Sequence, residues 1–295
     1  MGLFGRFKSF LESSQLDINA RFELLRKGTS GTMSHFHVAR DRETGGLVGL
    51  KILDPEKTAL FEARFKGLKK PSEGEIGSAI VHPKVVKTLR YGTAVDGRQF
   101  VLMEYIPGPG LNLLINDRSP RLNGHRLQLM RDMAEAVHAV HEAGYIHRDI
   151  CPRNFICAED MSVVKLIDFG LTVPATPEFM QPGNRTGTPS YMAPEIARRR
   201  TTDHRVDLFS LGVSYYQLCA GALPWPSGDT TGRVAMLHDT MAPTPIRQHS
   251  PKLDPRVAEL IHRCLSVEPS GRPKSAGEIA ETLQRILKDP ATVKI

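Results

Sequence analysis

The sequence is short of several things, and each shortage excludes something. Among 295 residues there are four cysteines, Cys151, Cys157, Cys219 and Cys264. None forms a C-x-x-C pair or joins histidines at metal-ligand spacing. That argues against a structural zinc site and a disulfide framework, and leaves the four as small buried hydrophobes in a reducing compartment. Nowhere are basic and aromatic residues interleaved in the manner of a nucleic-acid groove. No apolar run is long enough to span a bilayer. The first residues lack a signal-peptide pattern, so the expected setting is cytoplasmic. Internal repeats and low-complexity stretches are missing too.

What is present is ordinary globular material, 40% hydrophobic and 24% charged. The length suits one large domain or two lobes, because single cores stop growing at roughly 250–300 residues. The net charge is +7 with a pI near 9.3. The positive residues are dispersed apart from "ARRR" (197–200) and "KGLKK" (66–70), which read as solvated faces. Such a balance suits a polyphosphate ligand. At the N-terminus, Leu3, Phe4, Phe7, Phe10 and Leu11 fall at helical spacing with Arg6 and Lys8 on other faces. This segment is expected to pack on its own domain or a partner. Membrane contact through residues 1–14 is the less favoured alternative. Arg6 stands where an acylation signal wants Ser or Thr.

Along the chain, "FELLRKG" and "HFHVARD" predict strands joined by "TSGTM". A hairpin and strand follow in "RETGGLVGLKIL", then a charged, more helical stretch over 56–80. "VVKTLRYG" and "RQFVLMEYI" predict two further strands. After "PGPG" (107–110) the period turns helical, and the segment ending at Gly144 reads as a capped helix. Residues 145–200 are irregular, and helices resume near 205. A strand-rich part therefore precedes a helical part.

The irregular section carries the chemistry. Moving phosphate from ATP demands a turn whose backbone N–H groups cover the phosphates. It also demands a lysine to hold them, two metal ligands and a carboxylate to orient the attacking hydroxyl. These parts occur in order: a turn (29–34), Lys51 on a strand, "HRDICPRN" (147–154), and "DFG" (168–170) after "VVKLI". "GTPSYMAPE" (187–195), "DLFSLG" (207–212) and "EPSGRP" (268–273) follow. One such motif alone is weak; the ordered set is specific. Over residues 20 to 290 the chain resembles the eukaryotic-type protein kinases, nearest the serine/threonine kinases that bacteria also carry.

The resemblance implies an α+β, two-lobed protein-kinase fold. A small antiparallel-sheet lobe with one regulatory helix (20–104) would precede a larger, mostly helical lobe (105–290), with an extension at 1–19 and a tail at 291–295. It implies that Lys51 pairs the ATP phosphates and Glu73 supports Lys51, with Glu75 as the alternative partner. Asp149 is then the base, and Asn154 and Asp168 hold Mg2+, with Mn2+ as the alternative ion. Gly28, Thr29, Gly31, Ser34, Phe36, Gly49, Met103, Glu104, Ile106 and Ile156 would surround the nucleotide, with Glu104, Tyr105 and Ile106 meeting adenine through backbone groups. Glu195 and Arg272 should form a buried ion pair, and Asp207 should hold the catalytic loop.

The chain also departs from the family pattern. Only Gly31 survives of the three turn glycines, with Thr29 and Ser34 in the other places. Gly28 stands for a usual leucine, Gly49 for alanine and Phe36 for valine, so the Phe36 ring is expected to fill the volume left by the glycines. The Glu73 helix, with Pro71 before it and Gly74 and Gly77 within it, is expected to be short or mobile, since glycine costs roughly 1 kcal/mol there relative to alanine. The activation segment lacks its usual phosphorylation site; Thr186, then Thr176, remain as candidates facing Arg148. Cys151 occupies the place of the catalytic-loop lysine, and Arg153, as in tyrosine kinases, stands ready to replace it. The expected function is ATP-dependent phosphorylation of Ser/Thr hydroxyls on protein substrates. A nucleotide-binding pseudokinase scaffold and a dual-specificity kinase are the alternatives. The substrate's identity and the oligomeric state have no signature.

Overall fold

The computed structural model describes residues 16–30, 34–65, 67–183, 186–226 and 234–289. The N-terminal amphipathic segment and the 291–295 tail lie outside the described residues. The chain divides into two compact units. One holds the described residues up to Val81 together with Val86–Ile106; the other holds His82–Val85 and the described residues from Pro107 onward. The division follows Ile106, against 104 in the sequence reading. It also assigns His82–Val85 to the second unit, for a local reason. Val85 bridges Leu166, the Leu166 N–H donates to the Lys84 carbonyl at 2.8 Å, and Lys84 Nζ meets the buried Asp132 carboxylate at 2.9 Å.

The first unit is built on an antiparallel sheet in the order β1-β2-β3-β5-β4, with β1 Phe22–Ser30, β2 Ser34–Asp41, β3 Leu47–Leu53, β4 Thr88–Thr93 and β5 Gln99–Glu104. Strand alternation sorts its side chains. Val48, Leu50 and Ile52 of β3 and Phe100 and Leu102 of β5 join Leu16, Ile18, Phe22, Ala39 and Ala94 in one apolar cluster. The intervening residues Gly49, Lys51, Val101 and Met103 therefore point to the other face. Register pairs Lys51 with Val101 and with Phe36, and Gly49 with Met103 and Val38. Two short helices connect β3 to β4: α1, Pro55–Glu62, capped by Asp54, and α2, Glu73–Ala79, capped by Ser72.

The second unit is mainly helical: α3 Leu111–Asn116, α4 Arg126–Glu142, α5 Arg205–Ala220, α6 Pro255–Cys264 and α7 Ala276–Lys288. Helix α4 ends as expected, with Gly144 at φ +82°. Helix α5 is buried along nearly its whole length, including Leu208, Phe209, Leu211, Val213, Tyr215 and Tyr216, which marks it as the central post of the unit. Between α4 and α5 run two small two-stranded antiparallel sheets. β6 (Tyr145–Ile146) pairs with β9 (Val173–Pro174), and β7 (Phe155–Cys157) pairs with β8 (Val164–Leu166).

One buried ion pair ties "MAPE" to "SGRP". Arg272 grips Glu195 with two parallel bonds, 2.6 and 2.9 Å, and donates to the carbonyls of Ser266, Val267 and Arg205. Every face of the guanidinium is used, which is the condition under which a buried charge is tolerated. Replacing Arg272 by alanine leaves Glu195 buried without its cation. The expected loss is about 3–5 kcal/mol of stability, read by urea unfolding.

Candidate active site

In the first unit the sheet presents Lys51 on β3, and α2 presents Glu73 at its first turn. Lys51 Nζ lies 2.6 Å from Glu73 Oε1, and each side chain is 8% exposed. Glu75, the alternative partner, is employed elsewhere. Its carboxylate accepts from the Ser72 N–H (2.7 Å) and Ser72 hydroxyl (2.8 Å), while Ser72 Oγ accepts from the Glu75 N–H (3.3 Å). This reciprocal cap fixes the start of the helix. Lys70, mostly buried close by, has its pKa lowered by desolvation, which outweighs the nearby charges of Glu73, Glu62 and Glu75.

The same sheet face holds Phe36, Gly49 and Met103. A Cβ built on Gly49 would sit 2.8 Å from Met103 Cγ and 3.0 Å from Phe36 Cε2. The ring of Phe36 thus occupies the space of the absent methyl group. Met103 is buried, and Ser34 at the start of β2 is 6% exposed. Gly28 and Thr29 lie in the backbone of β1, and Gly31 falls outside the described residues. Glu104 ends β5, with its N–H on the Lys87 carbonyl and its carboxylate on the Lys87 N–H. Ile106 is the last residue of the first unit.

In the second unit the site is organised from below by Asp207 of α5. Its carboxylate accepts the backbone N–H groups of His147 (2.8 Å) and Arg148 (2.9 Å) and meets His141 Nε2 at 2.9 Å. Burial works against the ionised form, yet these bonds and the neighbouring histidines hold the carboxyl below its ordinary range. The grip keeps Arg148 in the left-handed region, φ +65°, a strain that persists where the surroundings over-determine it. Asp149 follows directly, 9% exposed.

Both oxygens of Asp149 are engaged. Oδ1 accepts the N–H (3.0 Å) and hydroxyl (2.6 Å) of Thr188. Oδ2 accepts Arg153 Nη2 (2.9 Å) and Asn154 Nδ2 (3.1 Å). Arg153 Nη2 also donates to Thr188 Oγ1 at 2.9 Å, so the guanidinium bridges Asp149 and Thr188. Half of that side chain remains exposed. Burial opposes its charge, but the Asp149 and Asp168 carboxylates favour it, and its pKa is raised on balance. Burial pushes the Cys151 thiol up to about 12, and its Sγ lies 4.0 Å from Thr188 Oγ1.

Asn154 gives its amide N–H to the Asp149 backbone carbonyl at 2.7 Å as well as to Oδ2. The Ile167 N–H donates to the Asn154 carbonyl at 2.8 Å, so β7 and β8 hold Asn154 and Asp168 at adjoining ends of one hairpin. Asp168 is left-handed, φ +68°, with Oδ1 accepting the Gly170 N–H at 3.0 Å. Ile156 sits on β7. Arg148 Nη2 donates to the Phe179 carbonyl (2.8 Å) and reaches Thr202 Oγ1 (3.3 Å). Thr186 is 5% exposed, with no hydrogen-bond partner for its hydroxyl among the described residues, while Thr176 is exposed.

A family model for the protein kinase domain matches residues 22–285. The chain belongs to the protein kinase family. Among curated proteins the kinase is similar to serine/threonine-protein kinase pkn3 of Myxococcus xanthus, 33% identical over 274 residues (88% of this chain, 48% of the relative). It is 32% identical over 283 residues to pkn2 of the same organism (92% and 33%). PknB of Mycolicibacterium smegmatis is 28% identical over 277 residues (91% and 43%). The chain thus spans between a third and a half of the length of these relatives.

The family implies ATP and a divalent cation. The donor set fits such a cation: one amide oxygen and one carboxylate are hard ligands, few enough to leave places for phosphate oxygens and water. No group of three or more His, Cys, Asp or Glu that could hold a metal occurs among the described residues. Also among them, no helix is long and apolar enough to cross a membrane.

Residues the sequence did not reveal are Tyr91, which packs on Gly74, His141, which supports Asp207, and Lys84 with Arg131, which neutralise Asp132. None of these pairs has a spacing signal, because each joins different elements or adjoining side chains. Two outcomes follow from the geometry. Gly49→Ala is expected to overpack the sheet face, lowering stability by about 1–3 kcal/mol in thermal unfolding, with Phe36→Val in the same chain restoring most of it. Iodoacetamide at pH 8 is expected to leave Cys151 unmodified by mass spectrometry, since a thiol with its pKa near 12 stays protonated there.

Proposed function

We propose that this kinase domain transfers the γ-phosphate of ATP to serine or threonine hydroxyls of protein substrates, with Asp149 as base and Arg153 in place of the usual catalytic-loop lysine. The observation that carries the reading is the bridge from Arg153 Nη2 to Asp149 Oδ2 and Thr188 Oγ1, both at 2.9 Å. A cation is needed beside the base to offset charge on the moving phosphoryl group. Cys151, as a neutral thiol, cannot supply it. A guanidinium held by two acceptors keeps other N–H groups for a phosphate, whose geometry it matches.

Each residue then has one task. Lys51, held by Glu73, pairs the α- and β-phosphates. Asn154 and Asp168 hold magnesium, which when bound neutralises phosphate charge. Asp149 accepts the hydroxyl proton, its carboxylate oriented by Thr188, Arg153 and Asn154. Phe36, Gly49 and Met103 border adenine, and Glu104 and Ile106 meet it through backbone groups. Preference for serine and threonine rests on Thr188, part of the segment that docks the acceptor, and agrees with the printed names of the relatives. Dual specificity is the second reading, favoured by Arg153 alone.

The test is label transfer from γ-labelled ATP to a mixed serine/threonine/tyrosine peptide library. Asp149→Asn is expected to abolish transfer. Arg153→Ala should lower kcat by at least 100-fold, and Cys151→Ala by less than threefold. The reverse ranking of the last two defeats the Arg153 assignment. ATP binding without transfer by the unaltered chain would mark a scaffold, and phosphotyrosine in the product a dual-specificity kinase.

A further inference from the structure

Gly74 and Gly77 make α2 a poor helix by propensity, and the helix is indeed only seven residues long, Glu73–Ala79. The surroundings give Gly74 a different meaning. A Cβ built on it would lie 2.3 Å from Tyr91 Cβ, 2.4 Å from Tyr91 Cγ and 2.8 Å from Tyr91 Cδ2. A real Cβ never approaches another atom so closely. Tyr91 Cβ is fixed by the backbone of β4, so no change of rotamer relieves the clash. The backbone of α2 therefore rests directly on a strand side chain, at a distance that glycine alone permits. The contact is one residue from Glu73, whose carboxylate meets Lys51 at 2.6 Å. The start of the helix is pinned independently by the reciprocal Ser72–Glu75 cap, and Ile76, two residues past Gly74, is fully buried.

We propose that Gly74 and Tyr91 are positioning residues: their contact seats α2 on β4 and thereby holds Glu73 on Lys51. The role assigned to the Lys51–Glu73 pair rests on the proposed kinase reading, but the packing does not. A helix seated this closely cannot keep its place with any side chain at position 74. Displacement of its first turn by about an ångström is enough to lose a hydrogen bond of this length.

Helix propensity and packing predict opposite signs for one substitution. By propensity, Gly74→Ala strengthens α2. By the contact, it lifts the helix off β4. The expected result for Gly74→Ala is loss of amide protection in hydrogen–deuterium exchange over residues 73–79, with α5 unchanged, and a fall in kcat/KM for ATP of at least 30-fold. Adding Tyr91→Gly, which removes the opposing Cβ, should restore both by at least tenfold, whereas adding Tyr91→Ala, which keeps that Cβ, should restore neither. If Gly74→Ala does not fold, recovery of folded protein by Tyr91→Gly and not by Tyr91→Ala carries the same meaning. Unchanged or increased protection in Gly74→Ala, or equal rescue by the two Tyr91 variants, overturns the proposal. Should the unaltered chain transfer no phosphate, the kinase reading fails, and the exchange data still decide the packing.

Discussion

The second unit is arranged around one carboxylate. Asp207 is wholly buried on the central helix α5 and takes two successive backbone N–H groups, those of His147 and Arg148. A buried anion is stable only when its lone pairs are filled, so the catalytic loop must lie across it in one conformation. The left-handed turn at Arg148 follows, and the turn presents Asp149 to Thr188, Arg153 and Asn154. Removing the grip would release the backbone strain and Asp149 together. The placement of Asp149 thus depends on a buried interaction beneath the loop.

The first unit uses a different device, the absence of side chains. At Gly49 the missing methyl admits the ring of Phe36 and the chain of Met103, and at Gly74 it admits Tyr91. Gly49 lies on the strand that carries Lys51, two residues before it, and Gly74 lies next to Glu73. Close approach of backbone to side chain leaves little slack, and dense packing transmits small displacements. The sheet and the short helix act as one support for the Lys51–Glu73 pair.

Much of this was legible in the sequence, for identifiable reasons. Lys51, Asp149, Asn154 and Asp168 are residue types that phosphoryl transfer demands, in a fixed order, and strand alternation alone puts Lys51 opposite Leu50 and Ile52. The strands and α4 follow from period and turn chemistry. Gly74 was readable only as a weak helix position, because propensity reports on the helix itself and says nothing of the strand beneath it. Tyr91, His141 and Lys84 left no trace, since their partners are distant in sequence and ordinary in type. The turn at 29–34 departs from the family's glycine pattern, and Gly31 lies outside the described residues.

The arginine at position 153 has a consequence beyond charge. A lysine in that place carries a primary amine, open to acylation, which would erase the positive charge beside Asp149. A guanidinium resists that reaction, and here two oxygens hold it while neighbouring groups strengthen its protonation. The loop therefore offers no amine through which an acyl donor could silence it.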